Sequence, residues 1–146
     1  MKRSGFKKKT GKPLKKSWLK KKSKVKISVV QRKLWELCRR ILKARYTNTC
    51  YTCGQMGLVG SNHQAGHLWP KASLGAFLKY DLRVLRPQCF RCNIHLGGNG
   101  AVFYSRILKE IGPKAMAKLE ADRRVSVKAY DHYLKLIEDY QSKLNP

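Results

Sequence analysis

"QCFRCNIHLGGN", residues 88–99, carries a Cys-x-x-Cys pair, Cys89 and Cys92, with an asparagine, a histidine and two glycines behind it. A second pair, Cys50 and Cys53 in "CYTC", lies upstream, with 35 residues between the two. Each pair offers two sulfurs from one short loop, and four thiolates in two such loops satisfy tetrahedral Zn2+. The spacing therefore predicts one structural zinc on Cys50, Cys53, Cys89 and Cys92. The alternatives are a redox pair or unligated thiols. A redox motif is more usually a single Cys-x-x-Cys behind a strand in a βαβ unit, and no such unit is visible here. Zinc also explains how so short a core folds, since the metal's binding energy becomes folding energy.

Between the pairs, "NHQAGHLWP" (62–70) places His63 and His67 four apart. A site closed by four sulfurs needs no fifth ligand, so both histidines are spare. The surrounding stretch, residues 46–99, is rich in Gly, Cys, Asn and His, with short β-prone pieces such as "HLWP" and "LRVLRP". That is the texture of a small site held by something other than a large core.

Further out, charge dominates. The 146-residue chain has a formal net charge of +25. Residues 1–26 carry 13 Lys and Arg and no acid, and the first acidic residue is Glu36. This segment lacks apolar periodicity and is expected to be a disordered basic tail, solubilising or phosphate-binding. Lys7, Lys8, Lys9, Lys20, Lys21 and Lys22 are its candidate nucleic-acid contacts, with Phe6 and Trp18 as weaker stacking candidates. Arg86 and Arg91 are the corresponding candidates in the remainder, which is itself basic, with 20 cations against 8 acids. Such charge selects a polyanionic partner, nucleic acid first and an acidic membrane surface second. No apolar run is long enough to span a bilayer, and the N-terminus lacks a secretory apolar core. A reducing, cytoplasmic location is the expectation.

Residues 27–146 are expected to form a single domain. From Ser28 to Ala44, Val30, Leu34, Leu37, Cys38, Ile41 and Leu42 recur at helical spacing, with Ser28 as a candidate cap. Cys38 falls on that apolar face and is assigned to packing. Three helical stretches follow within residues 100–144. "AVFYSRILKEIG" stops at Gly112, and Pro113 opens "PKAMAKLEADRR" at a favoured first-turn position. The last, "VSVKAYDHYLKLIEDYQSKL", repeats Val127, Tyr130, Leu134, Ile137 and Tyr140 or Leu144, with Asp131 and His132 on a solvated face.

The order Cys-x-x-Cys, "AGHLWP", "VLRPQCFRCNIHLGGN" resembles the ββα-metal, or HNH, nuclease layout. More closely, "CYTCG…QAGH…QCFRCNIHLGGN…YSRILKEIG" resembles the phage NinG (Rap) family of recombination proteins, structure-specific DNA endonucleases. The likeness is close over residues 46–112 and looser beyond. It implies an α+β fold: a small zinc-stapled HNH-like core flanked by an N-terminal helix and C-terminal helices. It also implies hydrolysis of phosphodiester bonds in branched DNA, a Holliday junction or D-loop. His67 would be the general base, and a single Mg2+ or Mn2+ would lie between its strand and a helix beginning at Cys92. Asn93 matches the third position of the HNH pattern, and His95 is a nearby imidazole for metal or phosphate. Asn99, in "GGN", would position backbone.

This chain departs from the family pattern at three places. Gln64 stands where members often carry Asp, Val84 where the general pattern has Asn, and Leu96 where a Lys is common. Asp81 is the only acid between residues 37 and 109. A hard cation prefers carboxylate oxygen, so this set favours Mn2+ over Mg2+. His63 has no counterpart and is read as a loop residue or phosphate contact. Three function classes follow: a metal-dependent branched-DNA endonuclease, a non-catalytic zinc module binding DNA or RNA, and, last, a ribosome-associated or structural zinc protein. The nuclease class would gain from a homodimer, with the helices of residues 100–144 as a candidate interface.

Overall fold

The structure is a computed structural model that describes residues 25–144. The expected basic tail, with Lys7, Lys8, Lys9, Lys20, Lys21 and Lys22, lies outside the described residues. The element order is helix α1 (Ile27–Arg45), strands β1 (Gln64–His67) and β2 (Leu85–Gln88), then helices α2 (Gly100–Ile111), α3 (Pro113–Asp122) and α4 (Ala129–Leu144). Among the described residues this is a mixed α+β architecture with one two-stranded sheet.

All six apolar positions anticipated in the first helix are buried. Their spacing makes one continuous stripe, which packs along α4 and against both strands. Ser28 does not cap it. The helix starts one residue earlier, at Ile27, with Lys26 at the cap position and no side-chain capping bond. Cys38 is fully buried, and its thiol donates to the Tyr80 carbonyl at 3.4 Å. Burial pushes this thiol up to about 12, so it stays protonated and acts as a small apolar group.

Tyr80 is the hub between the helices. Its ring meets Tyr133 edge-on at 5.0 Å and Trp35 at 6.1 Å, and its carbonyl also accepts from the Tyr140 hydroxyl at 2.9 Å. These contacts explain a correction to the expected stripe of the last helix. Tyr133, Ile137 and Tyr140 face α1, whereas Leu134 is exposed and Val127 precedes the helix. His132 is not on a solvated face either. It is half-buried, stacked on Phe77, with Nε2 3.2 Å from the Phe77 carbonyl.

Two boundaries in the middle region also moved. The first strand is "QAGH", not "HLWP", because Trp69 and Pro70 turn away after Leu68 has donated to the Val84 carbonyl at 2.9 Å. The expected helix from Cys92 is only a single π-helical turn, Arg91–His95. Gly97, Gly98 and Asn99 then adopt positive φ of 56°, 90° and 49°, a left-handed run that ends one helix and starts the next. Gly112 and Pro113 break α2 from α3 as their sequence predicts.

Candidate metal centre and adjoining cleft

β1 and β2 pair antiparallel, Gln64 opposite Gln88 and His67 opposite Leu85. That register puts His67 at one end of the hairpin and the Cys89–Cys92 turn directly beyond the other end of β2. The first pair is drawn to it by backbone, since Tyr51 N–H donates to the Pro87 carbonyl at 2.8 Å. Gln88, fully buried, joins both turns: its Nε2 donates to Thr52 Oγ1 at 3.0 Å and to the Gly98 carbonyl at 2.8 Å. Gly66 is required beside it, because a Cβ there would fall inside the Gln88 carboxamide. No Gly66 substitution fits without displacing the residue that ties the two cysteine turns together.

The sulfurs of Cys50, Cys53, Cys89 and Cys92 lie within 4.8 Å of one another. Cys53 Sγ and Cys89 Sγ are 3.8 Å apart, and all four cysteines are unpaired thiols. A tetrahedron with Zn–S arms of about 2.3 Å has edges of about 3.8 Å, so this geometry fits a four-thiolate ion. Leu58 packs beneath it with three of the cysteines. Burial raises the Cys50 thiol, but the Thr52 hydroxyl and nearby backbone groups outweigh burial and bring it down to about 6. Burial carries Cys89 the other way, up to about 12. These four cysteines can hold a structural metal such as zinc, and the cluster is closed to further protein ligands.

His67 lies outside that centre. Its Nε2 is 2.9 Å from the Lys79 carbonyl, which makes Nε2–H the donor and leaves Nδ1 as the lone-pair nitrogen. Trp35 from α1 stacks on the imidazole, centroids 5.4 Å apart and planes within 3°. Burial lowers its pKa from the ordinary 6.5, and the charges of Lys71 and Lys79 add to the effect, against the Lys79 carbonyl. The ring is therefore neutral at neutral pH. It lines a cleft of about 440 Å3 with Asn93, Lys71, Gly97 and Gly98.

Asn93 Nδ2 donates to Gln64 Oε1 at 2.7 Å, so the strand and the π-helical turn meet through two amides. No carboxylate is among the residues lining this cleft. His95 is placed apart from His67: it is exposed, with its ring edge-on to Phe90 at 5.2 Å, and does not line the cleft. Asn99 takes the left-handed position ahead of α2.

The two arginines anticipated as phosphate contacts differ. Arg91 is exposed beside Cys53 and Cys92. Arg86 requires a correction: it is 4% exposed and its guanidinium is bound to Glu110 at 2.6 Å and 3.2 Å, and to the Leu85 and Leu82 carbonyls. It clamps α2 to the sheet, and its charge is already paired. His63 is also not a plain loop residue. It is 3% exposed, and its Nε2 has no hydrogen-bond partner. What sequence reasoning missed is Trp35, whose helical spacing put it at the margin of the apolar stripe with no sign that it would cover His67.

Comparison with known proteins places the chain. A family model described as Bacteriophage Lambda NinG protein matches residues 2–146. Protein ninG of Salmonella phage P22 is 28% identical over 95 residues, which is 65% of this chain and 45% of that relative. The matched part thus spans less than half the relative's length. No solved structure matches. Because the family model extends over nearly the whole chain, tail and helices included, the chain belongs to the NinG family.

Proposed function

We propose that this protein is a structure-specific DNA endonuclease that hydrolyses phosphodiester bonds in branched recombination intermediates, a Holliday junction or D-loop. The observation that carries it is the placement of His67: the Lys79 carbonyl holds Nε2, the Trp35 ring covers the imidazole, and the residue lines a cleft that Asn93 shares. The order strand, return strand, cysteine turn, helical turn resembles the HNH layout and supports the same assignment. In the reaction, His67 Nδ1 takes a proton from water, the water oxygen bonds to phosphorus, and the P–O bond to the sugar oxygen breaks, the oxygen leaving with the electron pair and taking a proton from solvent. Lys71, which lines the cleft, supplies positive charge near the phosphate.

A divalent cation would neutralise charge on the scissile phosphate. Asn93 is the side-chain amide that lines the cleft, with its Nδ2 engaged by Gln64, and a site of this kind without a carboxylate suits Mg2+ poorly and Mn2+ better. Recognition would rest on phosphate positions and shape, with affinity falling steeply as salt rises. Two copies would allow paired cuts across a junction, inside the host cell where phage DNA recombines.

A second function, a zinc-dependent DNA- or RNA-binding module without catalysis, is favoured by one observation: Gln64 and Asn93 bond to each other where a metal site would aim its donors outward. Labelled four-way junction, D-loop and linear duplex should be incubated with wild type and His67→Ala, at matched low salt, with Mg2+ and with Mn2+. Branch-selective cutting lost in the mutant, with binding retained, supports the nuclease. Binding without cutting in either metal leaves the binding module.

A further inference from the structure

Three shallow clefts lie side by side and share their walls. The first is on α1, lined by Arg32, Trp35, Glu36, Arg39, Arg40 and Lys43. Those positions recur at helical intervals of three and four, so they occupy one face of the helix. The second cleft, about 310 Å3, takes Trp35 and Arg39 as one wall and Gln64, Ala65 and Asn93 as the other. The third is the His67 cleft, which shares Ala65 and Asn93 with the second. The three clefts therefore adjoin through shared residues from the outer face of α1 to His67, with four cations and one acid lining the first.

The middle cleft has a second feature that points to a ligand. His63 lines it and is 97% buried, yet its Nε2 has no partner in the protein. Leaving such a group unpaired is unfavourable, and a bound polar ligand removes that cost. Arg39 borders the same space. Burial lowers the His63 pKa, a backbone hydrogen bond opposes it, and the Lys43 and Arg39 charges add to the lowering, so both cations act on this residue.

We propose that these clefts form a path that holds one strand of DNA, with Arg32, Arg39, Arg40 and Lys43 on its phosphates and with Arg39 and His63 seating the phosphate that precedes the one presented to His67. From Arg32 to Lys43 the helix rises about 16 Å. That length matches about five nucleotide steps at 3.4 Å along a B-form strand. The proposal deepens the nuclease assignment and rests on it for the end of the path, not for the path itself. The strand meets α1 on the face turned away from the core, so its cations are available without any rearrangement of the fold.

The test is a salt series of anisotropy titrations on a fluorescein-labelled four-way junction, using the full zinc-loaded chain without other divalent metal. The triple variant Arg39→Ala, Arg40→Ala, Lys43→Ala is compared with a triple of equal charge on α2 and α3, Lys109→Ala, Lys114→Ala, Lys118→Ala. Each phosphate contact adds about 0.9 to the slope of log affinity against log salt. The α1 triple is expected to lose about 2.7 of that slope, and the control triple little of it. Equal losses in both triples would overturn the path, because binding would then follow net charge alone. Cleavage scored in parallel with Mn2+ separates the two levels. A wild type that never cuts but shows the α1-specific slope removes the nuclease and retains the strand path.

Discussion

The Trp35 indole lies flat on the His67 imidazole, ring planes 3° apart. One residue belongs to the first helix and the other to the first strand, so the stack fixes the candidate base to the element that bears the basic face. It also contributes to the burial that keeps His67 neutral. Trp35→Leu is expected to raise the His67 pKa towards 6.5, followed by NMR titration of the imidazole. Stability should fall by about 1 kcal/mol beyond the area lost. An unchanged titration would show that Trp35 does not set the ionisation of His67.

Metal content should depend on four cysteines and not on the fifth. Elemental analysis is expected to find one zinc per chain in wild type and Cys38→Ser, and none in Cys50→Ser or Cys89→Ser. A chelator strong enough to strip the ion should unfold the segment around both cysteine turns while α1 and α4 keep their helicity, because Tyr80, Tyr133 and Tyr140 hold those helices independently of the sulfurs. Far-ultraviolet circular dichroism during chelation reads the difference.

Arg86 and Glu110 form a pair in which one partner is 4% exposed and the other 39%. Glu110→Gln leaves a buried guanidinium without its carboxylate. Breaking a fully buried pair costs about 3–5 kcal/mol; the exposure of Glu110 brings the expected loss nearer 2 kcal/mol, measured by urea denaturation. Arg86→Met, tested where it remains folded, should leave the salt slope of DNA binding unchanged. A slope reduced by one contact would return Arg86 to the phosphate surface.

Stability should depend on pH through buried His63 and half-buried His67. Burial lowers the folded-state pKa of both His63 and His67 from 6.5. Below 6.5 the unfolded chain therefore takes up protons that the folded chain does not, so stability is full above this value and declines as pH falls through the window beneath it. Thermal melts of wild type and a His63→Ala, His67→Ala double variant, across pH 5 to 7.5 as a rough range, should show a steeper acid-side decline in wild type. Parallel declines would assign the pH dependence to other groups, the zinc thiolates among them.

What the sequence determined on its own was whatever depends on local spacing. The two Cys-x-x-Cys pairs fold into sulfur-bearing turns because the spacing within each pair is enough, and the four sulfurs come close enough together to hold a metal such as zinc. The apolar stripe of α1 and the Gly112–Pro113 break were legible for the same reason: helix periodicity and backbone restriction act over a few residues. Only the tertiary structure decided which polar groups became buried. Arg86 read as a surface cation until Glu110, 24 residues away, turned out to cap it. His63 read as a loop residue or phosphate contact and His67 as a general base, yet the first is buried with Nε2 lacking a partner and the second is held between Trp35 and the Lys79 carbonyl. Ionisation and access depend on what packs against a group from distant parts of the chain, and that is set by the fold rather than by neighbours in sequence.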